Sequence, residues 1–184
     1  TLPLPTGGKI TGKLIKWVLL TPAIFPQIDD HPGGWLPSWI SHTDGQVMLK
    51  AGDTARRERE GREVWRQRIA AMQPIPAKLV AAITGKPIPV TGYALPNADD
   101  PERAEGGAKP THLAVPAGAV YYFEAEGTDD AEKQANAQAL AQALNWHGST
   151  PGIVIKNRRS TLMGEKGFGL GVCGGWDFHP GNRP

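Results

Sequence analysis

What the sequence lacks narrows its reading before any motif does. It has one cysteine, Cys173, in 184 residues. A single thiol excludes an internal disulfide framework and a cysteine-rich metal site, and it suits a reducing cytosol. No apolar run approaches the 18 or so residues of a membrane span, and no signal-peptide pattern is present. A cytoplasmic protein that does not engage membranes is therefore expected. Charge of one sign is scarcely in excess: the formal net charge is +2, too little to mark a nucleic-acid binder by itself. The chain opens TLPLPTGG, without methionine, and reads as a fragment or a processed form.

What is abundant is glycine near the end of the chain. Gly164–Trp176 reads GEKGFGLGVCGGW, with six glycines in thirteen residues. Successive N–H groups of such a loop can point into one concavity and hold an anion. Lys166 lies inside the stretch, and Arg158 and Arg159 just before it. Phe168, between Gly167 and Gly169, would project and could stack on a base. The stretch thus reads as an RNA-backbone loop leading into a short terminal strand, or alternatively as a glycine-rich turn with only a structural role.

Gly169-x-Gly171-x-x-Gly174 also matches the dinucleotide fingerprint. That fingerprint needs a following helix, a second strand and an acidic residue about 20 positions later. Ten residues follow Gly174, two of them proline, so it is rejected. The P-loop pattern is absent, and no cofactor is expected.

In chain order, Lys9–Leu20 ends in a β-prone run with apolar surface on both faces, and predicts a central strand. Ala23–Ile40 is punctuated too densely by proline and glycine for regular structure. It predicts an irregular excursion pinned by Phe25 and Trp39, with Trp35 open to base stacking. His31 beside Asp30 is read as a polar side chain facing solvent rather than a metal ligand, and no metal is expected.

Asp53–Met72 predicts a helix capped by Asp53 or Thr54. It would carry a Glu58–Arg62 pair and an apolar stripe of Val64, Trp65, Ile69 and Met72. Gly61 weakens its first half. Its arginines, Arg56, Arg57, Arg59, Arg62, Arg66 and Arg68, form either a self-neutralising charged face or an RNA- or partner-facing arm.

Ala77–Thr84 and Pro87–Ala94 predict two strands joined at Gly85-Lys86. Residues 95–110 predict a flexible loop. Thr111–Glu124 predicts strand, turn and strand, with the turn at Pro116-Ala117-Gly118. Asp129–Leu144 is the clearest helix, with an aspartate cap and a buried stripe of Ala137, Leu140, Ala141 and Leu144. Gly152–Lys156 predicts a buried strand leading to Asn157-Arg158-Arg159.

This order points to an α+β domain: a ferredoxin-like, RRM-like antiparallel sheet with helices on one face. Residues 1–184 would form one such domain, with long irregular insertions at about 23–72 and 95–110. The open face of such a sheet is a common RNA platform.

Four segments resemble a known family. They are Leu19–Phe25 with Gly33–Pro37 (LLTPAIF and GGWLP), Pro87–Ala94 with its Thr91-Gly92-Tyr93, Ala114–Glu124 (AVPAGAVYYFE), and Gly164–Trp176. In order and spacing the chain resembles the RAMP-superfamily subunit of type III-B (Cmr) CRISPR effector complexes that holds the 5′ handle of the guide RNA. The likeness is to its C-terminal half, because such subunits usually carry another ferredoxin-like domain upstream.

The resemblance implies a non-catalytic protein of antiviral defence. Its partners would be guide RNA, a large polymerase-like subunit and backbone RAMP subunits. Carried over by position, the RNA loop corresponds to Gly164, Lys166, Gly167, Phe168, Gly169 and Gly171. Arg158 and Arg159 join them on charge and position, and Trp35 as a stacking surface. Two alternatives stand beside this. One is a RAMP-type endoribonuclease that processes precursor guide RNA, drawing a general acid or base from His42, His112, His147 or His179. The other is an assembly subunit that never touches RNA.

Overall fold

Trp17 is fully buried at the centre of the molecule, and the layers are stacked around it. A computed structural model describes residues 4–52, 54–96, 105–150 and 154–177. The chain runs β1 (Leu14–Leu19), α1 (Arg62–Ala71), β2 (Ala77–Ile83), β3 (Ile88–Val90), β4 (Tyr93–Ala94), β5 (Gly107–Ala108), β6 (His112–Ala114), β7 (Val120–Ala125), α2 (Asp130–Leu144) and β8 (Gly171–Gly175). A 3-10 turn at Gly164–Lys166 precedes the last strand.

Four strands form an antiparallel sheet in the order β2-β7-β1-β8. With the two helices, these strands follow one another as β-α-β-β-α-β, the ferredoxin-like arrangement of an α+β domain. As expected, β1 is central. Trp17 sits opposite Tyr121 on one side and Cys173 on the other. Ile15, Trp17 and Leu19 alternate with half-exposed neighbours, as do Tyr121, Phe123 and Ala125. This is the period-two signature of a sheet with one face covered.

The covering helix is α2. Asp129 accepts the Glu132 N–H at 2.8 Å, and Glu132 reaches back to the Thr128 N–H at 2.7 Å, so both ends of the first turn are satisfied. Ala137, Leu140, Ala141 and Leu144 are the helix's buried residues, the four expected from its periodicity. Small alanines let it approach closely enough for the Trp17 indole to donate to the Leu144 carbonyl at 3.2 Å.

The second covering element differs from expectation. The helix predicted from residue 53 begins only at Arg62, and none of its residues is buried. Val64, placed in the expected apolar stripe, is 60% exposed. Arg59 takes a left-handed φ of 59° and Gly61 is extended, so the helix cannot run further back. Glu60 pairs with Arg68, bidentate at 2.8 and 3.0 Å, in place of the Glu58–Arg62 pair. Asp53, one of the two expected caps, lies outside the described residues. The sheet is covered beside α2 by the irregular excursion and the segment after it instead: Phe25, Leu36 and Ile40 of the excursion, and Val47 beyond it, are buried in the core cluster. Trp39 packs against Trp17 and Phe123, with ring centroids 5.7 and 6.1 Å apart.

Other expected strands are redistributed. β3 pairs with β6 and β4 with β5, giving two short ladders apart from the main sheet. β6 and β7 therefore do not form a hairpin. Between them Val115 exchanges both backbone bonds with Ala23, at 3.0 and 2.8 Å, which draws the chain to the excursion before β7 begins. The loop expected at 95–110 contributes β5 from its end, while residues 97–104 lie outside the described part. The strand predicted at Gly152–Lys156 is not formed over Val154–Lys156. The Lys156 and Asn157 N–H groups both donate to the Trp146 carbonyl, which leaves no ladder. Gly152 and Ile153 lie outside the described residues.

Candidate nucleic-acid interface

The glycine-rich stretch folds as a closed loop leading into β8. Met163 enters it with a left-handed φ of 57°, and Gly167 ends the 3-10 turn. The amides of Lys166 and Phe168 donate to the Met163 carbonyl, and that of Gly167 to the Gly164 carbonyl. The Gly169 amide donates to the Pro22 carbonyl at 2.8 Å. Thr21 ties the exit: its hydroxyl donates to the Gly167 carbonyl at 2.8 Å and accepts the Leu170 N–H at 2.9 Å. The amides of residues 166–170 are thus all spent within the chain. The concavity of free N–H groups expected from the sequence is not formed by them, and the loop presents side chains on a fixed backbone. Lys166 and Arg158 are exposed, and Phe168 is half-buried.

Two of the loop's glycines are demanded by packing. A β-carbon on Gly169 would stand 2.0 Å from the Ser160 nitrogen, and one on Gly171 would stand 2.2 Å from the Trp17 Nε1. Such contacts lie far inside van der Waals range, so the backbone there passes where only glycine fits. The glycine density that drew attention in the sequence serves the core at these two positions.

Arg158 and Arg159 diverge. The Arg158 β-carbon lies 3.4 Å from where a β-carbon on Gly164 would stand, beside the loop. Arg159 turns to the end of α2, where its Nε donates to the Ala143 carbonyl at 2.8 Å and its Nη2 to the same oxygen and to Asn157 Oδ1. Burial draws its guanidinium down to about 10, which still leaves it charged at neutral pH.

Tertiary structure also brings the excursion to the loop, a proximity with no signal in the letters. The Ile24 N–H donates to Ser160 Oγ at 2.7 Å, the Thr161 N–H to the Ile24 carbonyl at 3.0 Å, and the Ser38 and Thr161 hydroxyls lie 2.6 Å apart. Trp35, three residues before Ser38, is 53% exposed. Its backbone is held from below by the Tyr121 hydroxyl, which donates to the Trp35 carbonyl at 2.7 Å and whose ionisation is pushed up by burial.

The sheet face away from α2 carries a second group with no signal in the sequence pattern. Lys16 stands between Tyr122 and Gly174 in neighbouring strands, and Tyr122 meets Trp176 edge to face at 5.0 Å.

Two histidines come together: His31 and His42 meet edge to face, with ring centroids 5.9 Å apart. His31 accepts the Gly33 N–H on Nδ1 at 3.1 Å and donates from Nε2 to the Ile40 carbonyl at 3.0 Å, so both ring nitrogens hold the excursion's shape. His147 is buried, with Nε2 2.9 Å from the Thr6 carbonyl. His42 is exposed, 3.9 Å from Asp30. His112 lies on β6, and His179 lies outside the described residues. No cluster of three metal-ligating side chains occurs among the described residues, and no helix there is long and apolar enough to cross a membrane.

A family model described as CRISPR-associated protein (Cas_Cmr3) matches residues 9–176. The match spans most of the chain, which therefore belongs to this family of Cmr-type CRISPR-associated proteins. No curated protein and no solved structure matches it.

Proposed function

We propose, with membership of the Cas_Cmr3 family as the premise, that this chain holds the 5′ handle of a guide RNA in a type III-B effector complex without cutting it. Other surfaces would dock the large polymerase-like subunit and the backbone RAMP subunits. The observation that carries the reading is the loop at 158–171. The amides of residues 166–170 are spent within the chain, and the loop offers Arg158, Lys166 and Phe168 from a backbone already fixed. Groups ordered in advance lose less entropy on binding. Arg158 and Lys166 suit backbone phosphates, which set position without reading sequence. Phe168, with exposed Trp35 on the adjoining excursion, suits splayed bases.

The endoribonuclease alternative turns on His42 and His112, because a general acid or base must come within about 3 Å of the reacting proton and His147 is buried. An RNase assay on the wild type with His42→Ala and His112→Ala tests it: cleavage that either variant abolishes overturns the binding-only reading.

The test is fluorescence anisotropy over a salt series, with a handle-like RNA and a scrambled one. Lys166→Ala should weaken both about equally and lower the salt slope by roughly one unit. Phe168→Ala should cost about 1–3 kcal/mol if a base stacks there. A folded Lys166→Ala protein with an unchanged slope refutes a phosphate contact at this loop, and indifference to both substitutions leaves the assembly-only role in its place.

A further inference from the structure

A second basic surface lies at the end of α2. A cleft of about 730 Å³ opens there between the segment around Lys50 and the stretch around Lys156. It gathers Lys50, Lys156 and Arg159 with the side-chain amides of Gln142 and Asn157, and no carboxylate is among its described lining residues. These cations come from two parts of the chain far apart in sequence. Neither lysine has a carboxylate partner among the described residues. Like charges gathered in one concavity repel, and an anion between them relieves that cost.

The end of a helix is ordinarily a poor place for an anion, because its free carbonyls carry partial negative charge. Here those carbonyls are covered. Arg159 takes Ala143, and the Asn157 side-chain amide donates to the Gln142 and Asn145 carbonyls at 2.9 and 2.8 Å. Asn157 Oδ1 in turn accepts from Arg159 at 3.2 Å. The floor of the cleft is therefore rigid and keeps a net positive charge.

We propose that this cleft is a second, sequence-independent site for the phosphate backbone of single-stranded RNA. It is distinct from the glycine loop and is reached by the same strand. Consecutive side chains link the two, Arg158 beside the loop and Arg159 in the cleft. Lys50 and Lys156 bind the phosphates, and Arg159 with Asn157 holds the floor. The proposal rests on the RNA-binding reading above.

The test uses the full chain, a fluorescein-labelled uridine homopolymer and a salt series. Lys50→Gln with Lys156→Gln should flatten the salt dependence by about 1.4 units, near 0.7 for each single-strand phosphate that is no longer neutralised. Lys50→Arg with Lys156→Arg should restore it. If the double variant does not fold, Lys156→Gln alone, at an exposed position, should remove about 0.7 unit. A slope unchanged in a folded lysine variant, while Lys166→Ala still lowers it, overturns the cleft and leaves the loop reading standing. A response to the cleft lysines with none to Lys166 does the reverse. Absence of RNA binding by the folded wild-type protein overturns both.

Discussion

Arg159 reaches back to Ala143 and donates to its carbonyl from both Nε and Nη2. One basic side chain thereby covers the Ala143 carbonyl near the end of α2, the helix that covers the sheet. Arg159→Ala should destabilise the fold by about 1.5–3 kcal/mol, the range for hydrogen bonds made by a charged group. Arg159→Lys should recover only part of this, because an ammonium lacks the planar fork. Urea unfolding monitored by tryptophan fluorescence measures both, and a loss below about 0.5 kcal/mol would show that the contact contributes little.

The loop's glycines should separate by the space around them. Gly171→Ala drives a methyl into the Trp17 indole, and Gly169→Ala drives one into the Ser160 backbone at a φ of 76°. Each should cost about 1–3 kcal/mol or more, as overpacking does. Gly167 also has a positive φ but faces open space, so Gly167→Ala should cost only about 1–2 kcal/mol, the left-handed penalty alone. A loss at Gly171→Ala no larger than at Gly167→Ala would show that close packing against Trp17 is not what Gly171 supplies.

Acid should loosen the segment before α1. The Arg68 guanidinium, and after it the Arg57 N–H, hold the Glu60 carboxyl at about 2 against an ordinary 4.5. A carboxyl lowered on folding stabilises above its unfolded value, and that contribution disappears as pH falls through the folded one. Glu60→Gln should therefore be less stable than wild type near pH 6, with the difference closing between about 4.5 and 2. Paired urea titrations across that range test it, and a gap independent of pH would mean that the pair does not stabilise through its charge.

Cys173 should be silent in the native protein. It is buried, and burial pushes its thiol ionisation up, while the thiolate is the reactive form. A disulfide reagent such as Ellman's should label it only after denaturant is added. Rapid labelling of the native protein would mean that β8 opens readily from the sheet edge.

Much of the frame was legible because it is local. The alternation of Ile15, Trp17 and Leu19, and the alanine-leucine stripe of α2 behind its aspartate cap, follow from period and capping, which need only neighbouring residues. The end of the glycine stretch as a strand was legible for the same reason. The helix before β2 was overextended, because a left-handed Arg59 and an extended Gly61 are conformations that residue types permit but do not announce.

Composition and periodicity alone therefore determined an α+β domain with β1 at its centre, α2 over its core and a basic, glycine-rich end. Tertiary structure decided everything that depends on which distant segments meet. It gave the excursion, and not α1, the place beside α2, because Phe25, Ile40 and Trp39 could bury more apolar surface there than a helix bearing charge on most of its faces. It spent the loop amides on Thr21, Pro22 and Met163, and it sent Arg158 and Arg159 to different surfaces. A buried N–H or carbonyl must find its partner wherever the folded chain supplies one, and no local pattern in the sequence names that partner.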